Sequence, residues 1–332
     1  VSEAVPRLEI ATAPFLHREL STRRLMWEVA ASLAVVVAAA SYYFGVTALL
    51  VVAASSAGAC GTEWLLARER GGLATLGDGS AFLTGVLLAL TLPPSVPLWM
   101  AFLGGVASIV LGKAIWGGLG RNLFNPALVG RAFLQASFPS TLTTWSAPGG
   151  DFLHVRPESL AVPLGRPAVD VTTTATPLGL AKFDGEVTGL GPLLAGDTAG
   201  SLGETAGLLL LLCGLWLALR RVFDWRLPVS TLLAVAIGSG LLYAVNPDAY
   251  PGPLFMLLSG GLMFGAVFMV TDPVTTPLTP RGAWIFGAGV GVLVVLIRLF
   301  GGLPEGVMYA ILLMNSATPL INRFTQPRRF GG

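Results

Sequence analysis

The sequence predicts an all-α, polytopic membrane protein of about ten transmembrane helices, arranged as two inverted five-helix repeats. Three observations lead there. Of 332 residues, 54% are hydrophobic and only 11% are charged, less than half of the roughly 25% usual in soluble domains. The apolar residues gather in ten runs, and a helix needs about 20 such residues to cross the hydrocarbon. Lys and Arg concentrate in alternate connections between those runs. The same scarcity of charge excludes a cytosolic enzyme and a disordered chain, and a formal net charge of +2 excludes a basic nucleic-acid binder.

Taken in order, an N-terminal arm covers residues 1–26, and runs follow at 27–45, 46–67, 80–92, 97–116 and 123–138. Together 27–138 form a first membrane half. The first run is too long, and begins after too much polar chain, for a cleavable signal. Two runs are short: 80–92 ends at Leu92-Pro93-Pro94, and 123–138 contains Asn125-Pro126 and Arg131. Both suit broken or re-entrant helices, whose freed backbone groups must be satisfied inside the bundle. A second half, 205–322, carries runs at 206–219, 227–245, 252–271, 282–300 and 305–322, and a tail covers 323–332. With both termini cytoplasmic, 15 of 20 Lys and Arg residues fall on the inner side, as the positive-inside rule requires. Lys113 is counted among these inner bases. The expected location is therefore a bacterial inner membrane, with residues 139–204 extracytoplasmic.

The halves echo one another. Leu90-Thr91-Leu92-Pro93-Pro94 resembles Val270-Thr271-Asp272-Pro273, and Ile115-Trp116-Gly117-Gly118-Leu119 resembles Leu299-Phe300-Gly301-Gly302-Leu303. Five spans per copy place the second copy upside down. Inverted repeats with Pro-interrupted helices mark transporters and channels, whose sites lie where the halves meet, and the pattern resembles the urea-channel architecture. Glycines at 260, 261, 265, 287, 289 and 291 are expected to serve close helix packing.

The segment 139–204 holds seven acids and three bases amid Gly, Pro and Thr. Loops of this length in compact proteins usually carry function; the competing reading is a solvated spacer. Cys60 and Cys213 lie apart in apolar runs, so neither a disulfide framework, a metal site nor an iron–sulfur site is expected from this chain alone. His17 and His154 are read as ordinary surface residues. Asp272 and Glu63 are candidate ion-path carboxylates, because charges at membrane depth are costly; a helix-end contact for Asp272 and a satisfied polar contact for Glu63 compete. Arg131 has a buried carbonyl, a buried anion or snorkelling open to it. A stand-alone channel or transporter for a small neutral solute is the alternative function.

Within the loop, Asp170-Val171-Thr172-Thr173-Thr174-Ala175-Thr176 resembles the D-x-x-[S/T]-G-A-T flavinylation motif of membrane redox complexes, with Thr174 where the motif has glycine. The block Gly117-Gly118-Leu119-Gly120-Arg121-Asn122-Leu123-Phe124-Asn125-Pro126 and the stretches Thr271-Asp272-Pro273-Val274-Thr275-Thr276-Pro277 and Gly306-Val307-Met308-Tyr309-Ala310-Ile311-Leu312-Leu313-Met314-Asn315 are similar to the NqrB/RnfD family. These are the membrane flavin subunits of the Na⁺-translocating NADH:quinone reductase and of the Rnf electron-transport complex. The short N-terminal arm favours the RnfD branch. The resemblance implies FMN joined by a phosphoester to Thr176, with Asp170 and Thr173 recognised by a separate flavin transferase. It implies a non-covalent riboflavin near Asn122 and Asn125, although Asn125 before Pro126 equally reads as a helix cap. It further implies a subunit, not catalytic alone, that passes electrons among flavin and iron–sulfur partner subunits and couples them to Na⁺ or H⁺ translocation.

Overall fold

The computed structural model describes residues 21–69, 76–149, 152–153, 155–163, 173–204 and 206–326. Among them the secondary structure is helical and there is no strand. The chain is a multi-pass membrane protein. The first half comprises α1 Thr22–Phe44, α2 Val46–Glu69, α3 Ser80–Leu90, α4 Leu98–Ile109 and α5 Pro126–Ser137. The second comprises α6 Gly207–Leu219, α7 Arg226–Val245, α8 Pro253–Leu258, α9 Leu262–Phe264, α10 Pro280–Phe300 and α11 Val307–Thr325. Both α4 and α9 continue as wider π-helical turns, Val110–Ala114 and Gly265–Met269. Among the described residues four helices are long and apolar enough to cross a bilayer by themselves: α1, α2, α7 and α10.

In each half the second and fourth spans make the closest pair, α2 with α4 and α7 with α10. Glycines cause this. A methyl group on Gly58 would strike the Phe102 carbonyl, and one on Gly105 the Ser55 carbonyl; on Gly287 it would strike Ser230, and on Gly291 it would lie 2.6 Å from the Thr231 carbonyl oxygen. Small residues thus bring backbones together where van der Waals contact drives helix association.

The run 252–271, read from sequence as one span, is broken. Ser259 is extended, and Gly260 turns the chain with φ +63°. The glycines at 260 and 261 therefore separate two half-helices and are not merely packing residues. A break within the membrane frees backbone groups, and charged side chains satisfy them. Arg298, 2% exposed, donates from Nη1 to the Met256 carbonyl at 2.7 Å and from Nη2 to the Ser259 carbonyl at 3.0 Å. Its partner Glu305, at 3.1 Å, accepts from the Gly261 N–H at 2.9 Å. The cation sits at a helix C-terminus and the anion at a helix N-terminus, each against the opposite end of the helix dipole.

The break after α3 is satisfied by the long loop that joins the two halves. The N–H groups of Leu202 and Gly203 donate to the carbonyls of Leu92 and Leu90 at 3.0 and 2.7 Å. The Ser159 hydroxyl donates to the Pro94 carbonyl at 3.2 Å. Leu202 is fully buried. At its end the loop is thus part of the bundle core, not a solvated spacer. Its Lys182 ammonium donates to the carbonyls of Arg298, Gly301 and Leu303 at 2.8, 2.5 and 2.9 Å, closing the C-terminus of α10.

Candidate functional site

Two clefts lie between the halves, one toward each end of α5; they are labelled inner and outer after the orientation expected from the distribution of Lys and Arg. Asn125 starts α5: its Oδ1 accepts from the N–H groups of Ala127 and Leu128 at 3.0 and 3.4 Å, and Pro126 at the first helical position has no N–H to satisfy. The capping role of Asn125 is therefore real. Asn122, 5% exposed, differs. Its Nδ2 donates to the Phe124 carbonyl at 3.2 Å, while its buried Oδ1 has no partner among the described residues. Both asparagines line an inner cleft together with Lys113 and Asp272. An unpaired buried amide oxygen costs roughly 1–3 kcal/mol, so it fits a donor from a ligand such as the N3–H of a flavin ring. Asp272 accepts from the Val274 N–H and the Thr275 hydroxyl, both at 3.1 Å, a turn-closing contact that leaves it on the cleft wall.

Glu63, 7% exposed, holds the Lys113 ammonium at 2.7 and 2.9 Å, and the same ammonium donates to the Ser80 hydroxyl at 2.7 Å. Lys113 is itself 4% exposed. It is a buried counter-ion on the π-helical turn after α4, not the interfacial base that charge counting made it. The reason is Glu63: an unpaired carboxylate at this depth would be prohibitive, and a lysine on the adjacent helix neutralises it. Beside the pair a second inner cleft is lined by Glu63, Asp78 and Lys113.

Six residues beyond Asn125 on α5 lies Arg131, a helical rise of about 9 Å. It lines an outer chamber with Trp145, Glu204, Glu305 and Tyr309. A smaller recess shares Trp145, Glu204 and Glu305 with that chamber and adds Thr176. Thr176 is half-buried and precedes the short helical turn Pro177–Gly179; its Oγ1 accepts from the Gly179 N–H at 3.1 Å. The motif is laced to the chamber wall: the Trp145 N–H donates to the Thr173 hydroxyl at 3.3 Å, and the Trp145 carbonyl accepts from the Thr174 N–H at 2.9 Å. Burial, reinforced by Glu305, pushes the Glu204 carboxyl above the usual carboxylate range, with Arg131 opposing. Asp170, His17 and His154 lie outside the described residues.

Sequence reading missed Glu204, Glu305, Arg298 and Trp145 as parts of one outer site. Glu204 was one acid among seven in an acidic loop. Its usable signal was position, directly before the apolar run of α6 and after Gly203. Cys60 and Cys213 are free thiols, and no cluster of metal-ligating side chains occurs among the described residues.

The model of the NQR2, RnfD, RnfE family matches residues 9–331. The chain belongs to that family. It is 40% identical to a Clostridium ljungdahlii protein named as the D subunit of a proton-translocating ferredoxin:NAD(+) oxidoreductase complex, over 97% of this chain and 96% of that one. Proteins named as the D subunit of an ion-translocating oxidoreductase complex are 42% identical in Sodalis glossinidius, over 97% of this chain and 98% of that one, and 42% identical in Stutzerimonas stutzeri, over 81% and 79%. The family resemblance drawn from the block that begins at Gly117 and from the two tail stretches thus extends over nearly the whole chain.

Proposed function

We propose that this chain is the flavin-bearing membrane subunit of a redox-driven ion pump, working within an ion-translocating oxidoreductase complex. The observation that carries this is the position of Thr176: it lines a recess that shares Trp145, Glu204 and Glu305 with a chamber between the two membrane halves. The residue suits an FMN phosphoester. Its Oγ1 is used only as an acceptor, and the hydroxyl proton has no acceptor among the described residues. Replacing that proton by phosphorus keeps the contact with Gly179. A bound flavin supplies one- and two-electron chemistry, and the protein positions it.

The inner cleft is the proposed riboflavin site, supported by the unpaired Oδ1 of Asn122; Asn125 shapes its wall while capping α5. The two clefts face opposite ends of one short helix, which favours passage of electrons across the membrane between them. Glu63 and Asp272, each on an inner cleft, are the carboxylates proposed for the Na⁺ or H⁺ path. We place both termini in the cytoplasm and 139–204 outside a bacterial inner membrane, on the distribution of Lys and Arg. Other flavin and iron–sulfur subunits, and a flavin transferase during maturation, complete the proposed set of partners.

The test is direct. The chain is co-expressed with an active flavin transferase, denatured and run on a gel. A fluorescent band that disappears in Thr176→Val supports attachment there. A colourless wild-type band refutes the flavoprotein reading and returns a solute channel to the front. Riboflavin retention by Asn122→Ala, with the fold intact, would remove Asn122 from the inner site.

A further inference from the structure

Arg131 is only 8% exposed, yet among the described residues its guanidinium has neither an ion partner within 4.0 Å nor a hydrogen bond. Its nitrogens are not sealed off and open on the chamber that the residue lines, and a cation held in such a nearly enclosed place without a counter-ion is expensive. The neighbouring cation, Arg298, shows the ordinary solution, with two carbonyls and Glu305 around it. Arg131 instead lines the outer chamber together with Glu204, with no ion pair within 4.0 Å and no hydrogen bond between them. A donor fork and a carboxyl group therefore share one cavity without meeting. Glu305 cannot fill the gap, because it is already committed to Arg298 and to the N–H groups of Gly261, Gly306 and Val307.

We infer that Arg131 and Glu204 are positioning residues for the pyrimidine edge of the flavin ring tethered at Thr176, Arg131 raising the flavin's reduction potential. The inference rests on the Thr176 attachment proposed above. The chemistry matches. The flavin edge presents an N3–H donor flanked by two carbonyl acceptors, beside N1, where negative charge gathers on reduction. A guanidinium donates to a carbonyl and faces that charge; a carboxylate accepts from N3–H. Trp145 lines both the recess at Thr176 and the chamber, so a ring reaching Arg131 from Thr176 passes over or against its indole.

The experiment uses the full chain in detergent after co-expression with the transferase, with the Thr176→Val preparation as optical blank. Covalent flavin per chain is counted first, and the midpoint potential is then read by spectroelectrochemistry. Arg131→Gln should keep its flavin and disfavour reduction by about tenfold, or about 59 mV downward for a one-electron step. Arg131→Lys, which keeps the charge, should recover most of the potential. A wild-type flavin load in Arg131→Gln with an unchanged midpoint overturns the inference and leaves attachment standing. A wild-type chain without covalent flavin overturns both. Should Arg131→Gln not accumulate, Trp145→Leu decides: the native chain's flavin fluorescence should be quenched and should rise severalfold in that variant. An unquenched flavin in the wild type refutes docking in the chamber.

Discussion

The Glu63–Lys113 pair separates an ion-path carboxylate from a structural counter-ion. At 2.7 Å, and with an effective dielectric constant near 20, the mutual attraction is roughly 6 kcal/mol. Desolvating each ion costs several kcal/mol, so the pair as a whole is close to neutral for stability. Removing one member is different. Glu63→Gln leaves an ammonium at 4% exposure with a neutral amide oxygen and the Ser80 hydroxyl but no counter-charge, a loss of about 3–5 kcal/mol, or two to three and a half powers of ten in the folded population. The double variant Glu63→Gln with Lys113→Met removes both charges and should recover most of that loss. Denaturation of purified protein in detergent measures the stability side. Ion uptake by vesicles carrying the assembled complex measures the other. If Glu63 serves the ion path, the double variant is stable and does not translocate; if Glu63 only neutralises Lys113, it is stable and does. The energetic reasoning fails should Glu63→Gln lose less than about 1 kcal/mol, a value expected of exposed pairs, or should the double variant be no more stable than the single.

Further outcomes follow from the packing and capping contacts. Gly105→Ala forces a methyl group into the Ser55 carbonyl and should cost about 1–3 kcal/mol, whereas Gly61→Ala, with nothing within 4 Å, should gain about 0.5–1 kcal/mol; equal melting temperatures for the two would contradict the close α2–α4 contact. Asn125→Ala removes the cap of α5 and should cost about 0.5–2 kcal/mol, while Asn125→Ser retains most of it; indistinguishable stabilities would show that the cap is not used. Lys182→Met leaves three carbonyls at the end of α10 without their donor, and hydrogen exchange at the turn following α10 should quicken by roughly tenfold, about 1.4 kcal/mol within the range for an unpaired buried group. Unchanged protection there would mean that water replaces the ammonium without loss.

Hydropathy found the spans because each run is a property of consecutive residues: nine of the ten end within a few positions of the helices that form. It missed the break at Ser259-Gly260-Gly261, since the composition of 252–271 is apolar throughout and a half-helix looks like a whole one. What holds that break is contributed from far along the chain, by Arg298 and Glu305. The break after Leu90 was legible from Pro93-Pro94, but its backbone partners, Leu202 and Gly203, belong to a loop whose composition resembles solvent-exposed chain. Charge reading failed for a related reason. Lys113 counted as an inner-surface base until the fold put Glu63 beside it. The membrane charges then sort themselves by what they satisfy. Arg298, Glu305 and Lys182 close helix ends, and Lys113 and Glu63 close each other. Once fold-determined roles are assigned, Arg131 and the Oδ1 of Asn122 stand without partners among the described residues on the two clefts at the two ends of α5, whereas the fully buried Asn315, whose amide is also unpaired, lines neither. An unpaired amide is therefore not by itself the mark of a ligand; a fold that pairs Arg298 with Glu305 and Lys113 with Glu63 has reason to leave the Arg131 cation unpaired only where something else arrives to meet it.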